Sequence, residues 1–413
     1  MKLTFRLSDL YLIEKETLAV GLMKMGVLIS FLGSLNPWFL WSLGAYYPVL
    51  SALFFVGAYL VSNTMREPIF TRTDFLLPML ALGLFAIYER ISMEGNVNSY
   101  LMLLFKLPFF YLIFRLGTDR LRKLMTFLCK VMGWLLVPSL AGHFLYLLGF
   151  PLPYSNAQFG EFYSFSNYYL FLVSDADIFF LFPRFISYFL EPSHIGTACA
   201  FLLFTQRGQW KKWYNVVLLT TLFFTFSLQA YVYLVAIMFF NSWTAGKQVA
   251  KKLMMVIAII VVSLIVAFTY NGGDNIVHNA ILLRMEMDDG EMAGDNRVTG
   301  GFEAEYENYV KSTDIVFGRK FEIVEFGNAG FRVFFYENGI VGIILLFLFY
   351  AVSMMYTSNK RSLIAALVVA ALYFWATAFM MWESTFLPLY AAAYLENKSS
   401  PQQPLTDNEE MET

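Results

Sequence analysis

The chain predicts an all-α polytopic membrane protein with about 12 transmembrane helices and a large folded loop on the outer side of the bilayer. Three observations predict it. Of 413 residues, 58% are hydrophobic and only 15% charged, against about 45–50% apolar and about 25% charged in soluble domains. Apolar windows of about 20 residues, the length that crosses the hydrocarbon core as a helix, recur along nearly the whole chain. Lysines and arginines gather in every other connection between those windows.

The windows lie near 18–35, 38–61, 75–91, 100–116, 125–150, 186–206, 213–228, 229–243, 253–270, 333–356, 362–378 and 380–395. The first carries Lys24 and has no small-residue cleavage site behind it, so it reads as a retained span and not a signal peptide. One set of connections holds Lys2, Arg6 and Lys15; Arg66 and Arg72; Arg120, Arg122 and Lys123; Arg207, Lys211 and Lys212; Lys247, Lys251 and Lys252; Lys360 and Arg361. The alternate short connections hold almost none, which puts both termini in the cytoplasm. A single transmembrane domain thus covers 1–398, and the polar, acidic segment 399–413 reads as a disordered cytoplasmic tail.

Two outer connections are long. The first, 151–183, is rich in Tyr, Phe and Asn and suits the membrane–water boundary. The second, 271–332, contains Phe302, Tyr306, Tyr309 and Val310 at i, i+4, i+7 and i+8, the stripe of an amphipathic helix that packs onto the bundle. Its aromatic content argues for a folded segment. Cys129 and Cys199 lie in apolar runs and read as buried thiols, with no disulfide framework. His143, His194 and His278 form no pair at ligand spacing, so neither a metal nor another cofactor is expected. Asp175-Ala-Asp177 has no nucleotide-binding fold around it and reads as chance. No basic patch points to nucleic acid.

The stretch RFISYFLEPSHIG, Arg184 to Gly196, carries the chemistry. Pro192 suits the first turn of a helix and pushes Glu191 out of it, so Glu191 falls at the cap and the sixth span starts there. Such an end attracts anions, Arg184 offers a fork to a phosphate oxygen, and Glu191 and His194 stand about one turn apart. The plainer reading is that Arg184 snorkels, Glu191 caps and His194 packs. The long loop adds Arg284 and Arg297, thirteen residues apart, and Arg319 and Arg332 around a glycine-punctuated turn. Taken singly, each of these arginines suits a salt bridge with neighbouring acids. Converging on one cavity, they would suit a diphosphate, whose leaving charge must be stabilised. His278 and Glu337 are further candidates.

In layout and in four local features the chain resembles the O-antigen polymerases, with the O-antigen ligases as more distant relatives. The features are RFISYFLEPSHIG opening a span, the polar turn TFSLQAYVYL from Thr225 to Leu234, the large outer loop with spaced arginines, and GNAGFRVFFYENGIVG leading into the next span. In the last, Asn328 stands where the family has an aspartate, and Arg319 and Gly330 keep an arginine-x10-glycine spacing. The resemblance implies a glycosyltransferase of the bacterial inner membrane that joins undecaprenyl-diphosphate-linked oligosaccharide repeat units on the periplasmic face. It implies diphosphate binding by Arg184, Arg284, Arg297, Arg319 and Arg332, with Glu191 as general base and His194 second. It also implies a chain-length determinant protein as partner. The rival readings are a ligase and a lipid-linked oligosaccharide flippase or other transporter.

Overall fold

The computed structural model describes residues 7–62, 73–92, 97–160, 163–175, 183–245, 300–320, 330–377 and 379–395, with isolated positions between 251 and 292. These residues are mostly helical: α1 (Leu7–Leu35), a 3-10 segment (Trp38–Tyr46), α2 (Tyr47–Val61), α3 (Thr73–Ser92), α4 (Val97–Phe114), α5 (Thr118–Leu147), α6 (Pro192–Thr205), α7 (Trp213–Phe224), α8 (Leu228–Ala245), α9 (Gly300–Val310), α10 (Phe331–Met354), α11 (Lys360–Ala376) and α12 (Glu383–Tyr394). Among the described residues, four stretches are long and apolar enough to cross a membrane: Lys15–Leu35, Thr73–Ser92, Thr118–Leu147 and Phe331–Met354. A fifth forms if Trp38–Gly44 and Tyr47–Val61, bent by 91° at their junction, are one span. These helices are compatible with a membrane protein.

Other predicted spans fall on shorter elements. The helices α6, α7 and α12 have 14, 12 and 12 residues, about 18–21 Å of rise against a hydrocarbon thickness of about 30 Å. Two of them are the innermost pieces of the bundle. Every residue of α6 is buried except His194, and every residue of α12 except Tyr394. A helix apolar on all sides has to be enclosed, and α6 is enclosed by α5, α7, α8 and α12. Small residues allow the close approach: a Cβ at Gly196 would stand 2.6 Å from that of Ala230 on α8.

The reading as purely helical needs one correction. The connection 151–183 holds an antiparallel sheet of β1 (Ser155–Phe159), β2 (Tyr163–Asn167) and β3 (Leu172–Ser174). A second, two-residue ladder pairs β4 (Met287–Asp288) with β5 (Glu291–Met292). Alternation within YSFSN is the reason for the first: Tyr163, Phe165 and Asn167 share one face of β2, and Phe165 is buried with Leu172, Ile186 and Leu190. Leu172 N–H donates to Ser187 O (2.8 Å), which ties the sheet to the segment before α6.

The amphipathic helix expected in the long loop is α9. Phe302 and Tyr309 are buried against Tyr336 of α10, and Tyr306 packs beside them. Val310, on the same stripe by its spacing, is 43% exposed: eight residues on from Phe302 it lies about 80° round the helix, beyond the face that meets α10. Burial raises the pKa of the Tyr309 hydroxyl well above its ordinary value, so it remains a donor, here to Phe335 O at 2.6 Å. The following loop docks backbone to backbone on α10. Arg319 N–H donates to Tyr336 O (2.7 Å) and Val341 N–H to Val316 O (3.1 Å). Such contact requires glycine on both sides: Gly318 (φ +89°) and Gly339 (φ +61°) each have backbone atoms within 2.5 Å of where a Cβ would be. This accounts for the first glycine of Gly-x-x-Gly.

Candidate functional site

The starts of α6 and α12 lie side by side at the end of the bundle that carries the sheet. The helix α6 begins at Pro192 as the sequence predicts, with Glu191 in an extended conformation (φ −137°, ψ 147°) whose side chain makes no capping bond. The carboxylate turns elsewhere. Tyr163 Oη donates to Glu191 Oε1 at 2.6 Å and Ser193 Oγ to Oε2 at 2.8 Å. His194 Nε2 lies 3.8 Å from the same Oε2. The Glu191 side chain is 28% exposed and that of His194 11%, so the pair borders solvent while resting on the core. Two hydroxyl donors thus fix the carboxylate beside the imidazole.

The imidazole of His194 stands edge-on to Trp382 (5.0 Å between centroids), which stacks on Phe379 (4.3 Å, 5°). Below it is a narrow cavity of about 10 Å³ whose polar walls are Ser193 and Thr197 of α6, Gln229 of α8, Thr377 beyond α11, and Ser384 and Thr385 of α12. Gln229 belongs to the turn TFSLQAYVYL, so two separately recognised motifs meet here. The first motif is also tied to the residue just before that turn, Phe185 N–H donating to Phe224 O at 2.9 Å.

Beside this cavity lies a charged pair that sequence reasoning missed. Glu383, the first residue of α12, is 1% exposed. It accepts from Tyr47 Oη (3.1 Å), and Lys106 Nζ lies 3.6 Å from its other oxygen. Lys106 is within electrostatic reach of Glu89 at the end of α3, which in turn reaches Glu337 of α10. Glu337 therefore belongs to this polar belt. The signals were present, a lone lysine in LMLLFKLPFFYL and a lone acid in MMWESTFLPLY. An ionisable group within an apolar run is a functional hypothesis by default.

Arg319 and Arg332 of the long loop occupy a different place. Arg319 is shared between Asp314 and Glu305 (2.7 and 2.8 Å), and Arg332 pairs with Glu303 (2.8 Å) and lies over the Tyr306 ring. Both brace α9 and its loop against α10. Arg184 is half-buried in the segment before α6. Arg284, Arg297 and His278 lie outside the described residues, as does Asp177. Asp175 accepts from Ser164, and among the described residues no cluster of His, Cys, Asp and Glu could hold a metal ion. His143 is packed among Tyr146, Phe171 and Phe185, as expected. Cys129 and Cys199 are buried and unbridged.

No protein-family model, no curated protein and no solved structure matches the chain.

Proposed function

We propose that the protein is an O-antigen polymerase: a membrane glycosyltransferase that joins undecaprenyl-diphosphate-linked repeat units at the periplasmic face of a bacterial inner membrane. One observation carries the reading. A carboxylate that accepts from two hydroxyls, with an imidazole 3.8 Å away, stands at the head of a helix that is otherwise enclosed. That arrangement suits proton abstraction from a sugar hydroxyl. Glu191 is the general base in this reading and His194 its neighbour in proton transfer. The acceptor oxygen bonds to the donor's anomeric carbon, the bond from that carbon to the diphosphate breaks, and its electron pair leaves with the diphosphate. Arg184, Arg284 and Arg297 bind that leaving group. Arg319 and Arg332, whose charges are engaged by α9 carboxylates, serve by holding the loop in place.

The test is the lipopolysaccharide banding pattern of cells in which the gene is deleted and then restored with wild type, Arg184→Ala or Glu191→Ala at equal protein levels. Collapse of the ladder to core plus one unit, unrestored by either variant, is the expected result. Core alone would instead mark a ligase, and an intact ladder would move the reading to transport.

A further inference from the structure

The small cavity beneath His194 contains buried polar atoms that the base and the diphosphate do not use. Thr197 is 5% exposed, and its Oγ1 has no hydrogen-bond partner among the described residues; the same is true of Gln229 Oε1. Both residues line the cavity. Leaving such atoms unsatisfied is costly, and side chains in a packed core are seldom left so.

Hydrogen-bond direction defines what fits. Thr377 Oγ1 donates to Tyr373 O (3.4 Å), so its lone pairs receive Gln229 Nε2 (3.3 Å), which also donates to Tyr233 Oη (2.9 Å). That fixes the amide with nitrogen toward Thr377 and leaves Oε1 as a pure acceptor. Thr197 has a proton to give. A group that donates to Gln229 Oε1 and accepts from Thr197 satisfies both atoms and leaves no proton unused; a hydroxyl does this, whereas a carbonyl cannot donate to Oε1 and an ammonium would leave the Thr197 proton without an acceptor. A volume of about 10 Å³ admits about one oxygen atom.

We propose that Thr197 and Gln229, at the floor of the His194 cavity, form a site for a single neutral hydroxyl oxygen, belonging either to a bound water or to one sugar hydroxyl of the acceptor. A sugar hydroxyl has one proton, and here it goes to Gln229 Oε1. The oxygen seated there is therefore not the attacking one. It is a recognition contact that sets the acceptor ring beside Glu191, and Thr197 and Gln229 are specificity residues and not catalytic ones. The sugar assignment rests on the glycosyl-transfer reading; the oxygen site does not.

Two measurements on the full-length protein decide the matter. The first is a high-resolution electron cryo-microscopy map in lipid nanodiscs, with and without lipid-linked repeat unit. Density for one oxygen in reach of Thr197 Oγ1 and Gln229 Oε1, lost in Thr197→Val and kept in Thr197→Ser, is expected. Wild-type maps without that oxygen under both conditions would overturn the site. The second is initial-rate polymerisation of purified lipid-linked units. A KM for acceptor raised about tenfold in Thr197→Val, the size of one lost hydrogen bond, with kcat nearly kept and Thr197→Ser restoring it, identifies a sugar hydroxyl. An unchanged KM with the oxygen still separate from the sugar identifies water. If the wild type neither binds nor joins lipid-linked units, the glycosyl-transfer reading fails, and the map alone still judges the oxygen site.

Discussion

Glu191 stands at the N-cap of α6 and Glu383 is the first residue of α12, the two enclosed helices, and they are treated in opposite ways. Glu191 borders solvent and is held by the hydroxyls of Tyr163 and Ser193. Glu383 is buried and faces the cation of Lys106. A carboxylate that borders solvent can take up and release a proton at little structural cost. One that is itself buried beside an ammonium cannot, because losing its charge removes the partner's counter-charge. The same residue type at the head of a helix is therefore a chemical group in one case and a structural tie in the other, and burial and neighbours make the difference.

The largest effect expected from this contrast is on activity. Glu191→Gln should reduce polymer formation by about 10²–10⁴-fold, the usual worth of a general base, while the melting temperature of the purified protein stays near wild type. A melting point that falls with activity would make Glu191 a structural cap. Lys106→Ala should instead act on stability. It leaves Glu383 charged and buried, a change that costs about 3–5 kcal/mol where such pairs are broken, and Lys106→Ala/Glu383→Gln should regain most of it in thermal unfolding. No recovery in the double variant would mean that the two side chains act separately. The smallest effect belongs to Arg319→Ala. Its ion pairs lie near the surface, where each is worth about 0–1 kcal/mol, so proteolysis of the 300–320 segment should quicken modestly and more at low salt than at high. A large global loss of stability there would contradict a role confined to bracing α9.

Legibility from sequence followed the range of the interaction concerned. The start of α6 was readable because Glu191-Pro192 is a local stereochemical instruction. Most of α9 was readable because Phe302, Tyr306 and Tyr309 fall on one helical face. The sheet of 155–174 was missed because its alternation lies within a run of aromatics dense enough to read as an interfacial loop. The salt bridges of Arg319 and Arg332 were foreseen in kind, from the surrounding acids, but not in partner.

By itself the sequence determined the apolar, mostly helical character of the chain, the residue at which α6 opens, and the placing of Glu191 one turn from His194, since all of these depend on composition or on neighbours within a few positions. Only the tertiary structure decided that Gln229, Thr377 and Thr385 share a cavity with His194, that Lys106 lies against Glu383 from 277 positions away in the chain, and that Tyr163 comes from a sheet to hold Glu191. Those partners belong to different helices, and which enclosed faces meet is settled by close packing around Gly196, Gly318 and Gly339, which no periodicity within one helix records.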